Sequence, residues 1–410
     1  MPMNHGAVNH PIRSTPVCVS AERTKREPAA FTLTYCKTCL TPDTRPNGQF
    51  NADGVCTACE YYGQAGRVNF DARFAELKAI IDHKVRNHRR KRWQCIVGVS
   101  GGKDSTRQAL WVREKLGVNP LLVSVAYPPR QISPVGAGNL SNLIDLGFDT
   151  LVIGPAPRLS RELVRAAFFR FANWCRPTEM CLFAGVPQIA IEKGIKLILW
   201  GENPALQVGD LGSLGDSIWD GRNLVNINTL AGGDLGWFRE VAGSDRRLSP
   251  YKFPTPEARA RAGVETVFLG PAWRDWSDRV NSAVSYTHGF RGRTEGPEET
   301  ADLFSTSMVD EDWMTVNMLL KYYKLGFSRG TEHANAFIRS GQLRREEAIA
   351  HVERYDGVCA PRFIDSFCRY IGITETVFWE TVRKFAHPQL FDVSGPRPVK
   401  RFKVGEGLVA

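Results

Sequence analysis

The feature that most constrains the fold is a short apolar segment followed at once by two glycines and a lysine. Residues 95–99 (CIVGV) are apolar and largely β-branched, which predicts a buried parallel strand. Ser100 to Ser105 (SGGKDS) follow, and from Thr106 to Leu116 apolar residues recur at the spacing of an amphipathic helix. A strand, a Gly-Gly turn and a helix N-terminus form a phosphate cradle, because glycine permits close approach and backbone N–H groups face the anion.

This loop differs from the commoner nucleotide-binding loops. A Walker A loop requires glycine where this chain has Val97, and Ser or Thr where it has Asp104. The loop instead resembles the PP-loop of N-type ATP pyrophosphatases, which cleave ATP to AMP and pyrophosphate while adenylating a substrate. A turn without a ligand is the alternative. The resemblance implies ATP binding by six residues, Ser100, Gly101, Gly102, Lys103, Asp104 and Ser105.

The side chains of the loop suit this chemistry. Lys103 offers a cation for the β- and γ-phosphates, and Ser100 and Ser105 offer hydroxyl donors. Asp104 can hold Mg²⁺ directly or through water. We therefore expect Lys103 and Asp104 to take part in catalysis.

Four of the ten cysteines fall in one short polar segment. Cys36-x-x-Cys39 and Cys56-x-x-Cys59 have the spacing of a Cys₄ zinc site. Four thiolates leave no open coordination position, so a structural role for Zn²⁺ is expected, with the metal supplying folding free energy. Unligated thiols are the alternative.

Alternating strand and helix patterns follow the loop. Strands are expected at 120–127, 149–153 and 196–200, with helices between them. This indicates an α/β fold with a doubly wound parallel sheet, and several helices are expected between 312 and 385. Four segments are predicted: a disordered tail (1–30), a Cys₄ zinc module (31–64), a PP-loop ATP pyrophosphatase domain (65–235) and a helical C-terminal substrate or partner region (236–410).

Ligands of such sheets lie beyond the carboxyl ends of the strands. That rule places Tyr127 and Gly201 beside the nucleotide, and Glu202 and Asn203 beside the reacting groups. Capping the next turn is the alternative role for Glu202, and starting the turn before Pro204 is the alternative for Asn203.

Further candidates lie elsewhere in the chain. Lys324, Arg339 and Arg345 are candidates for binding the anionic part of a substrate, with exposed helix charge as the alternative. Cys175 and Cys181 are interpreted as packing residues in preference to a sulfur-transfer pair.

Charge and hydropathy restrict the partners. Lys and Arg number 53 against 43 Asp and Glu, which suits anionic ligands and permits nucleic acid. The densest basic patch, residues 84–92, is interpreted as a solvated helix end in preference to a nucleic-acid surface. No apolar segment approaches the roughly 20 residues that span a bilayer, and no secretory signal is visible, so we expect a cytoplasmic protein.

Motifs in order along residues 35–390 resemble the N-acetyl sugar amidotransferase family of lipopolysaccharide and surface-glycan biosynthesis. The matching motifs are both cysteine knuckles, VGVSGGKDS (97–105), LGFD (146–149), WGEN (200–203), FLG (268–270), KLGF (324–327), IRxG (338–341), REEA (345–348) and YD (355–356).

The resemblance implies that ATP activates the acetamido carbonyl of an N-acetyl sugar, expected to be nucleotide-linked, and that ammonia then displaces AMP.

 The product is an acetamidino sugar for surface-polysaccharide biosynthesis. Adenylation is needed because an amide oxygen is a poor leaving group. The implied cofactors are ATP, Mg²⁺ and structural Zn²⁺.

The resemblance also implies a partner protein. Related enzymes draw ammonia from a glutaminase resembling that of histidine biosynthesis, often together with a cyclase-like barrel. This chain has no Gly-x-Cys-x-Gly nucleophile elbow of its own. We therefore expect a separate glutaminase subunit, no membrane insertion and no nucleic-acid partner.

Two other functions fit parts of the sequence. A PP-loop enzyme that thiolates tRNA would account for the cysteine knuckles, the positive charge and Cys175 with Cys181. A nucleotide sensor without catalysis would require a degenerate loop, whereas Lys103, Asp104 and both serines are intact.

Overall fold

The centre of the structure is a five-stranded sheet in which all neighbouring strands are parallel. The computed structural model describes residues 31–128 and 130–409, so the predicted tail (1–30) lies outside the described residues. The strand order is β3-β2-β1-β4-β5. The strands are Cys95–Gly98 (β1), Pro120–Val125 (β2), Thr150–Ile153 (β3), Leu197–Trp200 (β4) and Glu265–Phe268 (β5).

Helices cover both faces of this sheet. Alternate residues of β1 point to opposite sides, so Val97 packs with α2 and α3 while Ile96 packs with α6. This arrangement confirms the predicted doubly wound α/β fold. The helices up to residue 287 are Thr57–Gly63 (α1), Phe70–Val85 (α2), Lys103–Glu114 (α3), Pro134–Asp145 (α4), Pro157–Phe171 (α5), Arg176–Lys193 (α6), Pro204–Gln207 (α7), Gly236–Ala242 (α8), Pro256–Ala262 (α9) and Asp278–Thr287 (α10).

The fifth strand was not expected from the sequence. β5 pairs with β4 in the register Leu197↔Glu265 to Trp200↔Phe268, so it completes the sheet from far along the chain. The predicted boundary at residue 235 therefore separates strands of one sheet. A four-residue strand with an exposed first residue carries little of the apolar pattern on which strand prediction depends.

The C-terminal part is helical, as predicted, and ends in two small hairpins. Its helices are Pro297–Thr300 (α11), Met314–Leu325 (α12), Arg329–Arg339 (α13), Arg345–Tyr355 (α14), Pro361–Ile371 (α15) and Glu375–Phe385 (α16). The hairpin strands are Phe391–Asp392 (β6) with Val399–Lys400 (β7), and Phe402–Lys403 (β8) with Gly407–Leu408 (β9).

An aromatic cluster joins these helices to the layer that covers the sheet. Phe168 of α5 stacks on Phe378 of α16 with ring centroids 5.5 Å apart, and meets Phe367 of α15 edge to face. All three side chains are buried. From Leu33 onward the chain forms one compact unit. Among the described helices, none has the length and hydropathy needed to span a membrane.

Candidate active site

A cavity of about 750 Å³ opens beyond the carboxyl ends of β1 and β4. The loop Ser100–Ser105 and the residues Gly201 and Glu202 form one side of it, and residues of α12 and α13 form another. The position agrees with the rule that ligands of doubly wound sheets bind at the carboxyl ends of the strands.

The turn at the start of the loop depends on glycine. Gly101 has φ +86°, a left-handed conformation that side chains disfavour. A Cβ on Gly101 would also lie 2.9 Å from the backbone nitrogen of Leu140 in α4. Gly101 therefore packs against α4, and Ser100, Gly102, Lys103, Asp104 and Ser105 line the cavity.

Two carboxylates hold the lysine of the loop. Lys103 Nζ lies 2.7 Å from Asp104 Oδ2 and 2.8 Å from Asp278 Oδ1, and its side chain is only 5% exposed. Burial opposes the charge of Lys103, but the two carboxylates raise its pKa above the usual range. Burial likewise opposes ionisation of Asp278, and Lys103 lowers the pKa of that carboxyl to about 2. The lysine is thus a fixed cation at the cavity wall.

Helix α10 positions this pair, which the sequence patterns did not indicate. Asp278 is its first residue, and Asn281 Nδ2 donates to Asp104 Oδ1 at 2.6 Å. Ser285 Oγ donates to the backbone oxygen of Lys103 at 2.6 Å. Ser277 followed by an acidic residue is a helix-start signal, but it does not reveal which loop the helix contacts.

Glu202 lies on the same side of the cavity. Burial, and then the charge of Asp104, raises the pKa of Glu202 to about 7. Carboxylate oxygens are the ligands that Mg²⁺ prefers, so Asp104 and Glu202 fit the expected ion and would hold it beside the loop.

Asn203 and Tyr127, which were predicted to lie in the site, do not line this cavity. Asn203 is fully buried, and its side chain accepts from Ala205 N and donates to the backbone oxygen of Ile218. It starts α7, which was the alternative role. Tyr127 donates to Asp310 Oδ2 at 2.8 Å and borders a separate small cavity, because the chain turns away after β2.

The four knuckle cysteines meet, as expected for a metal centre. The sulfur atoms of Cys36, Cys39, Cys56 and Cys59 all lie within 4.8 Å of one another, and the four residues are buried. Backbone N–H groups of Cys39 and Cys56 donate to Cys36 Sγ at 3.5 and 3.3 Å. Four converging thiols fit a tetrahedral ion such as Zn²⁺.

The cations predicted to bind substrate differ in position. Lys324 lines the cavity and donates to the backbone oxygen of Phe171 at 2.7 Å. Arg339 also lines the cavity, but its Nε lies 3.4 Å from Cys59 Sγ and its Nη2 lies 3.6 Å from Cys39 Sγ. Arg345 does not line the cavity, because it donates to the backbone oxygens of Cys39 and Gly405.

Further charged residues contribute to the cavity wall. Lys321 Nζ lies 2.6 Å from Glu332, with Arg329 at 3.4 Å and Arg45 at 3.5 Å from the same carboxylate. Arg45 comes from the loop between the cysteine knuckles. We call Arg45, Lys321 and Arg329 the basic wall.

A Ser-His-Asp arrangement also borders the cavity, but its hydrogen bonds differ from those of a catalytic triad. Ser307 Oγ lies 3.2 Å from His333 Nε2, and Asp302 Oδ1 lies 3.3 Å from His333 Nδ1. The backbone N–H of Leu303 donates to Nδ1, so the proton of the neutral ring is on Nε2. His333 therefore donates to Ser307 and cannot accept its proton in this state.

Comparison with known proteins bears on the C-terminal helices. Residues 298–404 match the family described as LPS biosynthesis protein WbpG-like, C-terminal domain. The matched segment is thus similar to the C-terminal domain of WbpG-like proteins, and we call it the WbpG-like domain. This match confirms the predicted resemblance to a surface-glycan biosynthesis family. No curated protein matches the sequence.

One solved structure that matches is the U34-tRNA thiolase NcsA from Methanococcus maripaludis with its 4Fe-4S cluster. The match has 13% sequence identity, covers 65% of this chain and 77% of that chain, and has a TM-score of 0.30. A TM-score this low supports no inference about this protein.

The WbpG-like domain supplies much of the cavity. Lys321, Lys324, Arg329 and Arg339 all lie within the matched segment. The loop Ser100–Ser105 lies outside it, so the cavity is formed jointly by the sheet and the WbpG-like domain.

The two candidate thiols, Cys175 and Cys181, lie in different surroundings. Cys175 lines the cavity, whereas Cys181 packs in an apolar cluster with Leu163 and Phe238. Cys181 thus has the packing role expected for it. Cys175 also packs in a buried apolar cluster, with Phe168 and Trp174, but its sulfur has polar neighbours as well.

Proposed function

We propose that the protein is an ATP-dependent amidotransferase. It adenylates the acetamido carbonyl of an N-acetyl, nucleotide-linked sugar and replaces the oxygen with ammonia to give an acetamidino sugar for surface-polysaccharide biosynthesis. The observation that carries the proposal is that the loop Ser100–Ser105 and the WbpG-like domain line one cavity. A loop suited to ATP thus faces a domain of an LPS biosynthesis family.

The first step is adenylation. Lys103 attracts the β- and γ-phosphates of ATP, with Asp278 holding the lysine in place. Mg²⁺ beside Asp104 and Glu202 would neutralise phosphate charge. The sugar carbonyl oxygen attacks the α-phosphorus, pyrophosphate leaves, and the oxygen becomes part of a good leaving group.

The charges of the cavity suit two different ligands. Asp104, Glu202 and Asp278 surround one lysine at the loop, which favours a cation-bound nucleotide. The three cations of the basic wall, together with Lys324 and Arg339, carry more positive charge than Glu332 can neutralise. This excess of positive charge favours an anionic substrate. A sugar linked to a nucleoside diphosphate meets that requirement.

We also propose a glutaminase partner, often accompanied in such systems by a cyclase-like protein, as the source of ammonia. The proposal is supported by the lack of a glutaminase nucleophile motif in the sequence. Purified protein should therefore use ammonium and not glutamine. Equal use of glutamine by the purified chain would contradict the proposal.

The basic patch at 84–92 offers little support for a nucleic-acid partner. Lys84 pairs with Glu265, Arg89 with Asp82, and Arg92 with Asp149. These acidic neighbours weaken the positive electrostatic potential that would attract the phosphate backbone of a nucleic acid.

The test is to supply ATP, Mg²⁺, ammonium and UDP-linked acetamido sugars, and to analyse the products by chromatography and mass spectrometry. We expect AMP, pyrophosphate and a sugar in which oxygen has been replaced by NH. Formation of ADP and phosphate would refute the assignment.

A tRNA-thiolating enzyme is the second candidate, because Cys175 lines the cavity. Its partner thiol in that interpretation, Cys181, packs in an apolar cluster. Salt-dependent binding of tRNA, with thiolation lost in Cys175→Ser, would establish this function instead.

A further inference from the structure

Four polar residues form a chamber on the α6 side of the cavity. Cys175 Sγ donates to Asn173 Oδ1 at 3.0 Å and lies 3.5 Å from Glu179 Oε1. Asn317 Nδ2 donates to the same sulfur at 3.2 Å. All four residues line the cavity, and we call them the Cys175 chamber.

The chamber contains two acceptor atoms without donors. Glu179 Oε2 and Asn317 Oδ1 accept no hydrogen bond from the described residues, and Asn317 is only 6% exposed. Buried polar atoms are nearly always paired, and pairing these two requires N–H or O–H donors. Both atoms lie on side chains that contact the Cys175 sulfur.

We infer that the Cys175 chamber binds the ammonia that attacks the activated sugar. Ammonia has three N–H donors and little volume, so it can satisfy Glu179 and Asn317 together. A sugar hydroxyl has only one O–H donor, and its oxygen is an acceptor, whereas both unpaired atoms of the chamber require donors. Trp174, the neighbour of Cys175 in the chain, is fully buried in the apolar cluster that packs against Cys175. The inference rests on the proposed amidotransferase function.

The chamber also has a base for the proton of ammonium. Burial raises the pKa of the Glu179 carboxyl above its ordinary value, so it accepts a proton more readily than an exposed glutamate. Burial and then the charge of Arg176 lower the pKa of Lys324 to about 8. The positive charges of Arg176 and Lys324 disfavour a further cation in the chamber, so neutral ammonia is favoured over ammonium.

The step balances as follows. Ammonium transfers one proton to the Glu179 carboxylate, and the nitrogen lone pair forms a bond to the adenylated carbon. The carbon–oxygen bond to the adenylate breaks, and its electron pair leaves on AMP. A proton moves between the two nitrogens of the amidine, and Glu179 returns its proton to solvent when the products leave.

The experiment compares Glu179→Gln and Asn317→Leu with Glu192→Gln. Glu192 is a matched control because it lies on the same helix with a 62% exposed side chain. At saturating ATP and UDP-linked acetamido sugar, the apparent KM for ammonium should rise at least about tenfold in the two chamber variants. The KM values for ATP and sugar should not change. An unchanged ammonium KM, or an increase in the sugar KM instead, would overturn the inference.

A second measurement separates this inference from the proposed function. Sugar-dependent exchange of labelled pyrophosphate into ATP, without ammonium, reports adenylation and correct folding of each variant. If the wild-type protein shows neither exchange nor amidine formation, the proposed function fails. If it shows both, and the chamber variants retain exchange together with wild-type ammonium KM, only the ammonia site is refuted. If one chamber variant loses exchange, the ammonium KM of the other chamber variant decides the test.

Discussion

The lysine of the loop is already ion-paired before any nucleotide binds. Its two carboxylate partners come from the loop itself and from α10, so the ammonium group is held at one place in the cavity wall. A phosphate that approaches Lys103 meets a cation whose orientation is fixed, which reduces the ordering required on binding.

Replacing this lysine should remove adenylation. Lys103→Met is expected to lower the rate of pyrophosphate formation about 100-fold or more, because a charged donor to the phosphates is lost. Lys115→Met is the matched control, since Lys115 is exposed at the other end of α3. Equal rates in the two variants, measured by pyrophosphate release, would contradict the assigned role.

The carboxyl of Glu202 should make stability depend on pH. Its pKa is raised to about 7 in the folded protein, so the folded state binds more protons than the unfolded state between about pH 4.5 and 7. The stabilisation associated with this proton is present at low pH and is lost as the pH rises through 7. Glu202→Gln should therefore gain stability relative to wild type between pH 5 and pH 8, as measured by urea unfolding. Glu240→Gln is the control variant, because the Glu240 side chain is 62% exposed.

At the scale of elements, helix α13 connects the metal centre with the cavity. Asn335 Oδ1 accepts from the backbone of Leu40 in the first knuckle, and Arg339 contacts cysteine sulfurs one turn later. The same helix contributes Arg329 and Glu332 to the cavity. The helix therefore joins the knuckles to the basic wall.

Arg339 should stabilise the metal centre. Its positive charge offsets the charge of four thiolates, so Arg339→Gln is expected to weaken metal binding about 10- to 100-fold. Chelator competition measures this, with the exposed Arg344→Gln as control. Metal removal by the chelator should also lower the melting temperature of the wild-type protein. Identical metal affinity in both variants would show that Arg339 only packs there.

The contact between the loop and α4 should be sensitive to a single methyl group. Gly101→Ala places a Cβ against the backbone of Leu140 at a positive φ, which should destabilise the protein by about 1–2 kcal/mol or more and weaken ATP binding. Gly138→Ala in α4 meets no atom within 4 Å and should stabilise the helix by up to about 1 kcal/mol. Thermal unfolding with and without ATP distinguishes the two outcomes.

At the scale of the whole molecule, the aromatic cluster determines whether the WbpG-like domain unfolds separately. Phe168→Ala should cost about 3–5 kcal/mol, because Phe168 is fully buried against Phe367 and Phe378. We expect one cooperative transition at lower temperature in calorimetry. Two resolved transitions in the wild-type protein would show that the domain is energetically independent.

The sequence predicts the parts of this architecture that depend on local patterns. The apolar strands β1 to β4 and helix α16 lie where periodicity places them, and paired Cys-x-x-Cys motifs identify the metal centre. The pairing of Lys103 with Asp278 could not be predicted, because it depends on how α10 packs against α3. Asn203 was assigned to the site from its position at a strand end, yet its amide is used within the backbone turn.

The contact between α10 and the loop also affects synthesis of the protein. Ser285, which holds the backbone of Lys103, lies 182 residues later in the chain. A ribosome therefore completes the phosphate cradle long before the residues that position its lysine have been made. The nascent chain lacks both that support and the WbpG-like domain until synthesis of the polypeptide is nearly complete.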